Sequence, residues 1–121
     1  MIDKNKLKNQ YKQTVPPMGV YQIKNLVNGK IFVGSSKNLP GKINSHRFQL
    51  KMGSHMNKAL QKEYSNFGEK YFSFEVLDHL QPQEDSTSDY SIDLDILEKM
   101  WIEKLQPFGE RGYHKKIKDA M

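Results

Sequence analysis

Three sets of residues in this chain could do chemistry if the fold brought them together. The first is a tyrosine beside a gap. In residues 18–36, MGVYQIKNLVNGKIFVGSS, two short apolar runs flank Asn28-Gly29, the pair that favours a two-residue hairpin turn. Such a turn sets Phe32 opposite Asn25 and Gly34 opposite Ile23, so Tyr21, Ile23, Phe32 and Gly34 share one face of the sheet. Gly34 supplies no side chain and leaves space near Tyr21; the pattern equally suits an ordinary half-buried sheet tyrosine. The second is Glu98, which has Leu94, Trp101, Ile102 and Leu105 at helical spacing around it. A carboxylate on or beside an apolar stripe is costly unless it is paired or holds a metal ion. The edge of the stripe, or a lysine partner, would also accommodate it. The third is Lys42, His46 and Gln49, spaced by four and three on one helical face. A cation aligned with an imidazole could hold a phosphate, although surface pairs of this kind are common. His46 and His55 stand nine apart across a helix end, which is not zinc-ligand spacing. Nucleophile-elbow, phosphate-loop and His-Glu-x-x-His motifs are absent.

The elements that must position these residues follow from periodicity and punctuation. Strands are expected at Val20–Lys24 and Ile31–Gly34, and a helix from about Pro40 to Met52, stopped by Gly53. A second helix is expected from Met56 to Tyr64, ending near Asn66–Gly68. KYFSFEVLDHL alternates as a third strand, and a last helix covers Ile92 to Gln106. PFGERGYHKKIKDAM reads as an irregular basic tail. The order ββααβα predicts an α+β domain whose small, mainly antiparallel three-stranded sheet is flanked by helices. Residues 1–17 are expected to be a basic arm, as a short helix around Leu7 and Tyr11 or a loose segment, set off by Pro16-Pro17. Residues 18–114 form the domain, with an acidic loop at 81–90, and residues 115–121 a basic C-terminal tail.

A chain of 121 residues suffices for one modest core. There is no cysteine, which removes disulfides, thiolate metal sites and thiol catalysis. No apolar run approaches a membrane span, and MIDKNKLKNQYKQ has no apolar segment of the signal-peptide kind. A cytoplasmic protein is the expectation. The net charge of +5 is unevenly distributed: residues 1–70 hold 13 of the 19 Lys and Arg against three acids, leaving the remainder at −5. A basic half interleaved with Tyr, Phe and His suits a polyanion, or is simply a solvated basic surface.

Together, these residues resemble the GIY-YIG nuclease superfamily from about Met18 to Tyr113. Gly19-Val20-Tyr21 corresponds to the first motif and Phe32-Val33-Gly34 to the second, followed by GSSKNL. The resemblance places the family's catalytic arginine at Lys42, its next histidine at His46 and its H-x-N segment at His55-Met56-Asn57. Its metal-binding glutamate falls at Glu98 within LEKMWIEKL. The resemblance implies a phosphodiesterase with one divalent cation, magnesium or manganese, held by Glu98. Tyr21 would be the general base or a conduit to one, and Lys42 would take the arginine's role of stabilising charge on the phosphorus. Gly19, Phe32, Gly34, His55 and Asn57 would line the site. The implied partner is nucleic acid, DNA ahead of RNA.

Two positions depart from the family pattern. Phe32 lacks the usual hydroxyl, and Lys42 offers a point charge in place of a two-pronged guanidinium. Loss of one preorganised donor costs about 10²–10³ in rate, so a slow enzyme is expected in preference to a dead one. Arg47 lies five positions on, about 140° round the helix, and is poorly placed to substitute. The leading expectation is therefore a metal-dependent endonuclease. The alternatives are a degenerate relative that binds nucleic acid without cutting, and a protein-interaction module using the acidic loop. Neither the arm nor the tail is long enough for a separate recognition module, which implies low sequence specificity or recognition of shape.

Overall fold

The computed structural model describes residues 16–82 and 90–115. The expected short helix or loose arm around Leu7 and Tyr11, most of the acidic loop and the last six residues lie outside these. Strand β1 (Met18–Asn25) is central, with β2 (Ile31–Ser36) and β3 (Phe72–Leu80) antiparallel on either side. Helices α1 (Leu39–Met52) and α2 (Lys58–Phe67) follow β2, and α3 (Ser91–Leu105) follows β3. The α+β class and the ββααβα order are those the sequence predicts.

Helix boundaries have local causes. The Asn38 side chain accepts the Gly41 N–H at 3.1 Å to start α1, with Pro40 in the first turn. Gly53, at φ 75°, ends α1 in the left-handed conformation. Helix α2 starts two residues later than expected because Asn57 is its cap, accepting the Leu60 N–H at 3.1 Å. Its end is set by the Gly68 N–H bonded to the Tyr64 carbonyl.

The hairpin register differs from expectation by two residues. Asn25 pairs with Lys30, and the loop is the four residues 26–29. Side chains compete with the tight turn: the Asn25 carbonyl oxygen of the amide accepts the Val27 N–H at 2.9 Å, and that of Asn28 accepts the Lys30 N–H at 3.0 Å. An even slip keeps every side chain on its face. It also brings Gly34 directly opposite Tyr21, and Phe32 opposite Ile23.

The sheet is covered on both sides. On the face carrying Tyr21, the residues Ile23, Leu50, Leu60, Tyr64, Phe72 and Tyr113 form one core, with α1 and α2 above it. On the other face Val20, Ile31 and Val33 pack against Leu97, Trp101, Ile102 and Leu105 of α3. The segment after α3 is not a loose tail as far as His114. Gly112 bridges to Ile31 in parallel, the Tyr113 N–H donates to the Ile31 carbonyl at 3.0 Å, and the Tyr113 ring is buried. This segment covers the outer edge of β2, which would otherwise present unpaired backbone groups.

Candidate active site

Tyr21 stands on the central strand, only 2 % exposed. A β-carbon at Gly34 would overlap the Tyr21 hydroxyl, so the missing side chain is what lets the phenol lie across β2. The hydroxyl meets His46 Nε2 at 2.6 Å. His46 is buried under α1, and its Nδ1 meets His55 Nε2 at 2.7 Å. The backbone N–H of Asn57 in turn donates to His55 Nδ1 at 3.0 Å.

That last bond orients the whole series. A backbone N–H can only donate, so His55 Nδ1 carries no proton and the neutral ring is protonated at Nε2. His55 then donates to His46 Nδ1, which places the His46 proton on Nε2, and His46 donates to the phenol oxygen. Tyr21 is an acceptor from His46, and its own proton is free to face outward. Burial first, then the neighbouring His55 and the Lys42 charge, push the His46 pKa down to about 4. Burial likewise lowers His55, with Lys42 adding to it. Both rings are neutral donors near pH 7.

Burial raises the Tyr21 pKa above the ordinary phenol range, and the Glu98 carboxylate raises it further. The two groups belong to elements on opposite faces of the sheet. Glu98 belongs to α3, across the sheet from the Tyr21 ring, and accepts a 3.0 Å hydrogen bond from the Ser35 hydroxyl. Ser35 follows Gly34 on β2, so its side chain faces α3 whereas position 34 faces the Tyr21 ring. Trp101 fixes the rotation of α3: its indole N–H donates to Asp78 on β3 at 3.1 Å.

The other expected residues are distributed unevenly. Phe32 touches three imidazoles, with ring centres 5.5 Å from His46, 5.9 Å from His55 and 5.0 Å from His114, the last nearly parallel. Lys42 is exposed at the solvent side of α1, and its charge reaches both His46 and His55. Asn57 supports the series from below, donating through its side chain to the Tyr113 carbonyl at 2.9 Å. Gly19 serves the sheet, since a β-carbon there would overlap the Asp78 backbone on β3. Gln49 turns to Ser45 at 3.2 Å and takes no part. Arg47 lies over the Phe74 ring at 4.6 Å, away from the position it would need to replace Lys42.

Sequence reasoning missed His114 and Glu63. His114 closes one side of Phe32 and accepts the Val33 N–H at 2.8 Å. Glu63 accepts from Asn25, Asn28 and Tyr113 at 3.0, 2.9 and 2.6 Å, tying hairpin, α2 and C-terminal segment together. Its role follows from the full burial of Asn25 at the end of β1, which demands partners and is visible only in the fold. As for a metal, the described residues hold no group of three or more His, Asp or Glu that could surround one. Glu98 with the Ser35 hydroxyl is an all-oxygen, single-carboxylate set. That is compatible with magnesium, which keeps several waters and takes further oxygens from phosphate.

Comparison with known proteins bears on the fold and the family. Intron-associated endonuclease 1 of Enterobacteria phage T4 is 33% identical over 88 residues, 72% of this chain and 32% of that protein. The chain thus spans about a third of the length of this curated relative. The catalytic domain of homing endonuclease I-TevI matches with a TM-score of 0.65 and 29% identity, over 84% of this chain and 99% of that domain. A mutant of the same domain of intron endonuclease I-TevI gives 0.64 and 27%, over 87% and 97%. A family model, described as the GIY-YIG catalytic domain, covers residues 17–114. With nearly the whole described fold inside that match, the chain belongs to the GIY-YIG catalytic domain family.

Proposed function

We propose that this chain is a metal-dependent endonuclease that hydrolyses phosphodiester bonds of nucleic acid, DNA ahead of RNA. The observation that carries the reading is the oriented series from Asn57 through His55 and His46 to Tyr21, with the Glu98 charge acting on the same phenol. The relatives named above are endonucleases, which supports the reaction class.

Glu98 would hold the magnesium ion, or manganese in its place; bound there, such an ion supplies positive charge and Lewis acidity. The chain's own residues divide the remaining work. Tyr21 accepts the proton of the attacking water only as phenolate, and the His46 N–H stabilises that anion. Burial and the Glu98 charge oppose it, so in the absence of a cation Tyr21 is a neutral phenol at pH 7. Lys42, exposed on α1, would face the non-bridging oxygens of a phosphate. It contributes charge without the rigid fork of an arginine. Phe32 holds the three imidazoles by packing and contributes no hydrogen bond.

The test is to incubate supercoiled plasmid, linear duplex and single strand with magnesium or manganese, beside Glu98→Ala and Tyr21→Phe. Metal-dependent cutting, lost in both variants, is the expected result. No cutting by the wild type under either metal overturns the enzyme reading. Lys42→Arg with Phe32→Tyr belongs in the same series, and a gain of about tenfold or more is expected, since the pair restores a donor whose loss costs about 10²–10³. One observation favours the second reading, binding without cutting: no described residue holds the exposed Lys42 in a fixed position. Binding that weakens steeply with salt, with no cutting, would establish it.

A further inference from the structure

A cavity of about 450 Å³ opens beside the candidate active site, between the start of α2 and the C-terminal segment. It is lined by Met56, Asn57, Lys58, Ala59, Tyr113, His114 and Lys115. Its volume is within the range of sites that hold a small organic group, about 300–1,000 Å³. No carboxylate lines it. Lys58 and Lys115 are both exposed, and neither is ion-paired among the described residues.

His114 adds a donor to the same wall. Its Nε2 accepts the Val33 N–H, and burial lowers its pKa, so the neutral ring carries its proton on Nδ1. That N–H has no protein acceptor among the described residues. Met56, 82 % exposed, gives the rim an apolar patch. The residues that line the cavity also touch the reactive series in two ways. Phe32 stacks on His114 on one side and meets His46 and His55 on the other. Asn57 lines the cavity while its backbone N–H holds His55.

We propose that this cavity seats the phosphate and sugar of a nucleotide neighbouring the cleavage point, held by Lys58, Lys115 and the His114 N–H. The inference rests on the endonuclease reading and deepens it by tracing the strand's path from Tyr21 toward residues 113–115. Two cations, one neutral donor and an apolar rim with no acidic group are complementary to a nucleic-acid backbone and repel a positively charged ligand.

The experiment reads binding, independently of cutting. Fluorescein-labelled single strands and duplexes of DNA, and the same single strand as RNA, are titrated by anisotropy in EDTA at several salt concentrations. Wild type is compared with Lys58→Gln/Lys115→Gln, and with Lys99→Gln/Lys104→Gln on α3 as a control of equal charge. The cavity pair is expected to weaken binding about tenfold and to reduce the salt slope by about one to two, as loss of one or two phosphate contacts requires. The control is expected to change little. In amide spectra of the wild type, a deoxytrinucleotide should move the Lys58, Ala59 and Lys115 signals first. Equal effects of the two pairs, or signals moving elsewhere with these three unchanged, overturn the proposal while leaving the endonuclease reading intact. Absence of cutting in the plasmid assay, with these shifts present, removes that reading alone. A wild type that neither cuts nor binds removes both.

Discussion

An imidazole whose one task is to donate from Nε2 can be replaced by any group that donates from the same place. His46 is such a residue, because the Asn57 N–H fixes the His55 tautomer and His55 fixes the next one. His46 Nε2 is already protonated and cannot take the Tyr21 proton, so it stabilises the phenolate and does not deprotonate the phenol. His46→Gln retains an amide donor and is expected to cut within about tenfold of wild type. His46→Phe keeps ring volume without the donor and should lose about 10²–10³ in rate, the usual cost of one preorganised hydrogen bond. Plasmid cutting at saturating metal measures both, and equal losses would refute the donor role. The sequence made the residue types legible here, but not the direction of the bonds. Lys42, His46 and His55 could be read from spacing and resemblance. That His55 faces His46 depends on a turn between α1 and α2, and no periodicity encodes it.

Elements carry the site through what they leave out. Gly34 is the clearest case: the expectation of a gap on the Tyr21 face came from alternation alone, and it survives because the register error was even. The error arose because Asn25 and Asn28 use their side chains to build a wider loop, a competition that the dipeptide Asn-Gly does not announce. Gly34→Ala would force its new methyl group against the Tyr21 hydroxyl. Overpacking of this kind typically costs about 1–3 kcal/mol. It should also move the phenol off His46. The expected outcome is a lower urea midpoint together with a rate loss of at least about tenfold, larger than unfolding accounts for at assay temperature. Unchanged cutting in a folded Gly34→Ala protein would mean that the phenol does not work from this position. The strands and helices themselves were legible within two or three residues, since caps such as Asn38 and Gly53 act locally. The segment 107–115 was not, because its contacts with Ile31, Val33 and Asn57 are all distant in sequence.

At the scale of the whole molecule, the uneven charge along the chain becomes a difference between the faces of the sheet. Residues 16–70, which supply α1 and α2, hold nine bases and two acids, whereas α3 carries Asp93, Asp95, Glu98 and Glu103 on the far side. A polyanion approaching the basic face meets Lys42 and the histidine series beneath it. Those histidines also set how the fold responds to acid. His46, His55 and His114 all have pKa values lowered by burial in the folded chain, His46 to about 4, against about 6.5 when unfolded. Between these values the unfolded chain binds more protons than the folded one, so stability is fully present above pH 6.5 and falls as pH drops toward 4. Glu63 acts next: its lowered pKa gives stability above the ordinary carboxylate value that disappears as pH falls through the folded one. Urea midpoints measured at pH 7.5, 6, 5 and 4 should therefore decline from the first step below 6.5, before ordinary carboxylates begin to titrate. His46→Gln should flatten the decline between pH 6 and 5, because one of the three rings no longer has a proton to gain on unfolding. A midpoint constant down to pH 5 would mean that the imidazoles are open to water and the series is not buried as described.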